Sequence, residues 1–161
     1  MTELLPLLQE FHRVKLAMFL RPQAAARLIG QYDVNNTYQY IINREDVQLS
    51  WLANAIAELG GAWVEAAEAP RVVAGKGTEA AAHVIEEDAR DAQAFVDRWN
   101  PLVEAMTNAR QRGMLRVILG ETIEQQRFFE QALAGRTDLL GRRGGQLAPS
   151  HGEVLASRWI D

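Results

Sequence analysis

Apolar residues recur three and four positions apart through most of the chain, which is the spacing of one face of an α-helix. Arg21–Pro22 predicts a break or kink after the first such segment, followed by a short helical piece from Gln23 to Ile29. Further helices are predicted at about 38–59, 78–107 and 114–134. The first apolar series comprises Leu4, Leu5, Leu8, Phe11, Val14, Met18 and Phe19.

Local breakers set the expected ends of these helices. Asn35–Asn36–Thr37 offers N-caps for the second helix, and Gly60–Gly61 predicts its end. Residues 61–77 lack a clean period and carry Pro70, so they predict a long connection. A link of about 17 residues spans up to roughly 56 Å when extended, and a helix of about 22 residues is roughly 33 Å long. The link can therefore cross the bundle and leave the second and third helices parallel.

Ferritin-like four-helix bundles contain one such long crossover connection. We therefore predict an all-α, ferritin-like four-helix bundle with a long crossover between the second and third helices. The bundle domain is expected to cover residues 1–135. Residues 136–161 form a tail that is either irregular or packed on the bundle or on a partner subunit. Because this tail is rich in apolar residues, we expect a homodimer. Those residues are Leu139, Leu140, Leu147, Leu155, Trp159 and Ile160.

Composition narrows the class of protein. The 161 residues carry a formal net charge of −4 and contain no cysteine, so disulfides and thiolate metal sites are excluded. We expect no nucleic-acid partner because there is no basic excess, and no membrane span because no apolar run is long enough. The start of the chain lacks a signal-peptide pattern, which predicts a cytoplasmic protein. Few lysines and many alanines are typical of a GC-rich bacterial genome.

Polar residues interrupt the apolar faces at matching places in the four helices. A carboxylate in such a place is costly to bury unless it is paired or bound to metal, and carboxylates converging from several helices are how bundles hold two iron or manganese ions. No catalytic residue and no other cofactor motif stands out. The polar positions are His12 and Lys15 in the first helix, Glu45 and Gln48 in the second, Asp88 and Asp91 in the third, and Glu121 and Glu124 in the fourth.

Two stretches resemble the rubrerythrin branch of the ferritin-like superfamily. NREDVQLSWLANAIAELGG resembles its second helix and ILGETIEQQRFFEQAL its fourth, each of which carries Glu-x-x-His in the family. Trp99–Asn100–Pro101 resembles a proline site in the third helix of some rubrerythrins. The resemblance implies a dinuclear iron or manganese centre with oxidase, peroxidase or iron-storage chemistry.

The chain departs from that family at both histidines. Glu45 matches the second-helix glutamate, but Gln48 stands where histidine is expected. In the fourth helix either Glu124 is the glutamate and Arg127 replaces histidine, or Glu121 is the glutamate and Glu124 replaces histidine; helix-face geometry favours the second register. The third-helix carboxylate is Asp88 or Asp91, although alignment on Pro101 would put Ala92 or Phe95 there. Glu10, His12 and Lys15 compete for the place of the first-helix glutamate.

Inward carboxylates must be neutralised, since two such charges 4 Å apart repel by about 4 kcal/mol at an effective dielectric of 20. One solution is a metal pair held by Glu45, Asp88 or Asp91, Glu121 and Glu124, completed by His12 or Gln48. Another is a basic side chain, Lys15 or Arg127, in place of the metal. Considered by itself, however, Lys15 is expected to extend its amine to the solvent at the bundle end. A third is protonation of the acids. We favour the metal-free, ion-paired core, because glutamine is a poor ligand for such metals and arginine is none.

The predicted function is therefore a ferritin-like bundle with an atypical or vestigial dinuclear site and a non-catalytic binding or structural role. A carboxylate-bridged diiron or dimanganese oxidoreductase, or an iron-handling protein, is the alternative. A helical interaction module unrelated to ferritins is the third hypothesis.

Overall fold

A computed structural model of the chain describes residues 3–63, 77–136 and 139. It contains four α-helices: α1 (Leu4–Ala26), α2 (Tyr32–Glu58), α3 (Gly77–Glu104) and α4 (Ala109–Leu133). The described ranges hold no β-strand, so the predicted all-α four-helix bundle is confirmed. No helix in these ranges combines the length and the apolarity needed to cross a membrane.

Contacts between the helices give their directions. α1 and α2 are antiparallel, because Lys15 near the middle of α1 pairs with Glu45, and the end of α1 at Ala26 meets Asn35 at the start of α2. α1 and α3 are also antiparallel, since Glu10 meets Arg98 whereas Arg21 meets Asp91. Two helices that are both antiparallel to α1 are parallel to each other. The predicted parallel arrangement of the second and third helices is therefore confirmed, while the path of residues 64–76 lies outside the described residues.

The core consists of two apolar clusters with a band of polar side chains between them. The first cluster includes Leu8, Phe11, Leu52, Ile56, Trp99, Val103, Leu115 and Ile118. The second includes Ala25, Ile29, Tyr38, Ile41, Val84, Ile85, Phe128 and Phe129. We call the buried band between them the polar layer; its members are Lys15, Glu45, Gln48, Asp88, Thr122 and Gln125.

The sequence predicts a break or kink at Arg21–Pro22, and the break is wrong, because α1 continues through Pro22 to Ala26. Proline removes one backbone donor from the helix. Its ring, however, is buried here, and the next turn places Ala25 and Ala26 in the second cluster. Burial of that turn outweighs the lost hydrogen bond.

The second helix begins at Tyr32, six residues before the predicted start. The reason is the role of Asn35, whose side-chain amide donates to the carbonyl oxygens of Ala26 (2.8 Å) and Ile29 (3.2 Å). Asn35 therefore satisfies acceptors at and just after the end of α1 instead of capping its own helix. The predicted end of α2 is confirmed: Gly60 has a φ of 77°, and the N–H of Gly61 donates to the carbonyl of Ile56.

The turn between α3 and α4 is also displaced from its predicted place. α3 keeps Pro101 inside but ends at Glu104, and α4 begins at Ala109. Asn108 caps α4 by accepting a hydrogen bond from the backbone N–H of Gln111 (2.9 Å). Of the tail, the structure describes Arg136 and Leu139, and Leu139 is buried in the second cluster. The prediction for the remaining tail residues falls outside the described ones.

Candidate functional site

The centre of the polar layer is a lysine. Lys15 is fully buried, and its Nζ donates to Oε1 of Glu45 at 2.8 Å and to Oγ1 of Thr122 at 3.2 Å. The ammonium also lies 5.0 Å from the ring centroid of Phe95. The expectation that the Lys15 amine extends to the bundle end is thus wrong, whereas its predicted role as a core charge partner of Glu45 agrees with this geometry.

Helix geometry explains why Lys15 points inward. Phe11 lies one turn earlier on the same face and packs against Phe95 and Trp99, with ring centroids 5.2 and 4.9 Å away. Since residues four apart share a helix face, the burial of Phe11 carries Lys15 into the interior. Thr122 is held in turn by donating to the carbonyl of Ile118 at 2.8 Å, which orients its oxygen to accept from the ammonium.

Glu121 belongs to a separate group at the edge of the polar layer. Its two carboxylate oxygens accept hydrogen bonds from the guanidinium of Arg44 and from the amide nitrogen of Gln48. The side chains of Arg44 and Glu121 are about one third exposed. The hydrogen bond to Glu121 raises the pKa of the Arg44 guanidinium above its ordinary value. Glu121 is therefore paired with its own cation, Arg44, and Gln48 also donates an N–H to Glu121.

The two candidate acids of α3 also have their own partners. Asp88 is buried and accepts a hydrogen bond from the hydroxyl of Tyr38 at 2.7 Å. Asp91 pairs with Arg21 at 2.7 Å, and both of those side chains are more than one third exposed. Only Asp88 of the two lies in the polar layer.

Arg127 and Glu124 lie away from the polar layer. They pair with each other at 3.3 Å along one helix turn, with side-chain exposures of 64% and 53%. The prediction of Arg127 as a core charge partner is therefore wrong. Both side chains lie on the solvent side of α4, where water screens their attraction.

His12 is buried beside the first cluster. Its ring centroid lies 6.0 Å from that of Trp63, and its Nδ1 has no hydrogen-bond partner within the part of the chain that the structure describes. Burial lowers the pKa of the imidazole below its ordinary value, because desolvation disfavours the charged ring.

The proposed metal ligands do not fit a dinuclear centre in this arrangement. Across residues 3–63, 77–136 and 139, no three histidine or acidic side chains come together where they could hold a metal ion. The predicted acids instead have separate partners, and the charge nearest to Glu45 Oε1 is the ammonium of Lys15. An ammonium that donates to the same carboxylate competes with a metal for its lone pairs.

Several partners in this site were not predicted from the sequence. Thr122 accepts a hydrogen bond from Lys15 and Tyr38 donates one to Asp88, although neither residue is among the polar positions named from the sequence. A usable signal existed, since hydroxyls on a buried face need a hydrogen-bond partner. Arg44 and Arg21 carried no such signal, because arginines beside an apolar face are usually solvated.

Comparison with known proteins adds no relative: no family model, no curated protein and no solved structure matches this chain. Its fold and site are those of an all-α four-helix bundle with a buried lysine–glutamate ion pair at mid-height. Membership of the ferritin-like superfamily stays a prediction from the sequence.

Proposed function

We propose that this chain is a metal-free member of the ferritin-like bundles, in which Lys15 supplies the positive charge that a dinuclear metal centre would otherwise bring. Its role is then structural or binding and not catalytic. The observation that carries the proposal is the buried pair of Lys15 Nζ and Glu45 Oε1, 2.8 Å apart, with side-chain exposures of 0% and 2%.

Electrostatics support this choice over the diiron or dimanganese alternative. A divalent ion about 4 Å from the ammonium would repel it by roughly 8 kcal/mol at an effective dielectric near 20. Metal binding at Glu45 would therefore require Lys15 to lose its proton or to leave the polar layer. The hydrogen bonds that Lys15 Nζ donates to Glu45 and Thr122 hold the side chain in the polar layer and oppose its departure.

A thermal melt with and without metal tests the proposal. The full chain, treated with chelator and then dialysed, is melted alone and with anaerobic Fe²⁺ or with Mn²⁺. We expect the same Tm in each case, because a ligand raises Tm only when it binds the native state. Elemental analysis of protein purified without added metal should find far less than one iron or manganese per chain.

A designed gain of metal binding sharpens the result. Lys15→Glu removes the ammonium and places an acid at one of the three positions, with Glu10 and His12, that compete for the place of the family's first-helix glutamate. We expect this variant to melt far below the wild type without metal and to recover part of that loss with Mn²⁺. Arg127→Glu makes the same charge change on the surface and should show neither effect. A wild-type Tm that rises with iron or manganese, and falls back with chelator, would overturn the proposal in favour of a metal-binding protein.

The predicted homodimer, the cytoplasmic location and the bacterial origin form part of this proposal as sequence-based expectations. Sedimentation of the full chain tests the first of them. A monomer mass at micromolar concentration would exclude the dimer.

A further inference from the structure

A small cavity lies beside the Lys15–Glu45 pair, within the polar layer. Its volume of about 10 Å³ is room for one water molecule. Polar walls come from all four helices, and the rest of the lining is apolar; the polar residues are Arg21, Glu45, Asp88, Asp91 and Gln125. A cavity of this size with several polar walls is the setting in which proteins hold structural water.

Two polar atoms on the residues of this cavity need a partner. Oε2 of Glu45 and Nε2 of Gln125 are both buried, and neither has a hydrogen-bond partner among the described residues. The residues themselves are 1% and 5% exposed. One atom is an acceptor and the other a donor, so a single water can satisfy both. Buried polar groups left unpaired are rare in folded proteins because the cost is high.

We infer that one structural water molecule occupies this cavity, donating a hydrogen bond to Glu45 Oε2 and accepting one from Gln125 Nε2. Its second hydrogen faces a wall that includes the Asp88 carboxylate, which already binds the Tyr38 hydroxyl. The water thereby joins the Lys15–Glu45 pair to the Asp88–Tyr38 pair. The result is one hydrogen-bonded network that contacts all four helices.

Water suits the cavity better than a metal ion or a monovalent cation. The amide of Gln125 presents an N–H, which a cation cannot accept and a water oxygen can. The positive charges of Lys15 and Arg21 already face the acids around the cavity. This inference rests on the metal-free centre proposed above, because a metal at Glu45 would use the same oxygen.

The sign of one stability change tests the inference. Gln125→Met keeps the side-chain length but removes the whole amide, the N–H together with the carbonyl oxygen. If the water is present, the variant leaves it with one partner fewer, and we expect Tm to fall by about 2–6 °C. If Nε2 were unpaired, removing it would relieve a buried unsatisfied donor and Tm would rise, which would overturn the inference. Gln39→Met, at an exposed position on α2, is the control and should change Tm by less than about 1 °C.

A crystal structure of the wild type at a resolution of about 1.5 Å tests the site directly, even if the variant fails to fold. We expect one peak within hydrogen-bond distance of Glu45 Oε2 and Gln125 Nε2. A cavity closed by side chains would contradict the inference, as would a Tm that depends on Na⁺ or K⁺ against choline at fixed ionic strength. These results are distinct from failure of the proposed function, which is a rise of Tm with iron or manganese.

Discussion

Two ion pairs of α2 involve neighbouring residues and differ mainly in their access to water. Glu45 pairs with Lys15 at side-chain exposures of 2% and 0%, whereas Arg44 pairs with Glu121 at exposures of 31% and 30%. When one residue of the partly exposed Arg44–Glu121 pair is replaced, solvent can hydrate the charge of the other. Around Lys15 and Glu45 the apolar clusters on both sides exclude bulk solvent, which leaves room for no more than the single cavity water. The same chemistry should therefore respond very differently to mutation at the two places.

The comparison also separates stability from specificity. Removing two charges from water costs several kcal/mol per ion, so a buried pair adds little net stability compared with apolar residues of the same volume. What it can add is a preference for one arrangement of the helices, because an unmatched charge in the polar layer is strongly unfavourable. We take this as the structural role of the Lys15–Glu45 pair.

The largest effect is expected from Lys15→Met. This change leaves Glu45 buried without its cation, and we expect the free energy of unfolding to fall by about 3–5 kcal/mol in urea titrations. The surface change Arg127→Met is the control and should cost less than about 0.5 kcal/mol. The double variant Lys15→Met/Glu45→Leu removes both charges and should recover most of the loss. If the double variant is as unstable as the single one, the buried charge is not the cause.

A smaller effect is expected at the partly exposed Arg44–Glu121 pair. Glu121→Gln weakens the hydrogen bonds from Arg44 and Gln48, and we expect a loss of about 1–2 kcal/mol in the same titration. Glu124→Gln removes an acid from an exposed pair with Arg127 on the same helix and should cost less than about 0.5 kcal/mol. Equal losses for the two variants would show that partial burial of the Arg44–Glu121 pair has no energetic consequence.

The third prediction concerns a group that the interior keeps neutral. Burial lowers the pKa of His12 in the folded chain, so the unfolded chain binds a proton first as pH falls below about 6.5. Stability should therefore decline as pH falls from about 6.5 toward the lowered pKa of His12. His12→Gln should flatten this part of the stability–pH curve. An unaltered slope in His12→Gln would assign the decline to other groups.

The smallest effect is expected at the surface. Hydrogen bonds from Arg13, followed by the contact with Arg98, lower the pKa of Glu10 to about 2. The stabilisation is present above the ordinary carboxyl pKa and is lost as pH falls from about 4.5 toward 2. Since Glu10 is 38% exposed, solvent and salt screen the pair, and Glu10→Gln should cost less than about 1 kcal/mol at pH 7. The loss should shrink in 1 M NaCl; a loss that is independent of salt would indicate packing instead of charge.

Much of the fold follows from the sequence because its causes are periodic or local. The three- and four-residue spacing predicts the helices, and the length of the 61–77 link allows the parallel second and third helices that the packing shows. The central places of Glu45 and Asp88 on their helix faces predict their burial. The helix ends were predicted less well. The side-chain amide of Asn35 donates to a carbonyl at the end of α1 instead of capping α2. Burial of the turn around Pro22 outweighs the hydrogen bond that proline cannot donate.

The partner of each charge was decided by the tertiary structure. Lys15 and Arg127 are both candidates from the sequence for the basic partner of the carboxylates, and the sequence alone favours extension of the Lys15 amine to the bundle end. The burial of Phe11 turns Lys15 inward, whereas Arg127 lies on the solvent side of α4. Likewise, no local feature of the sequence predicts that Glu121 pairs with Arg44, 77 residues away, or that Tyr38 binds Asp88, 50 residues away. Such pairs depend on how each helix is rotated about its axis. That rotation is set by packing against the other helices. The apolar period of one helix gives no information about the side chains of its neighbours.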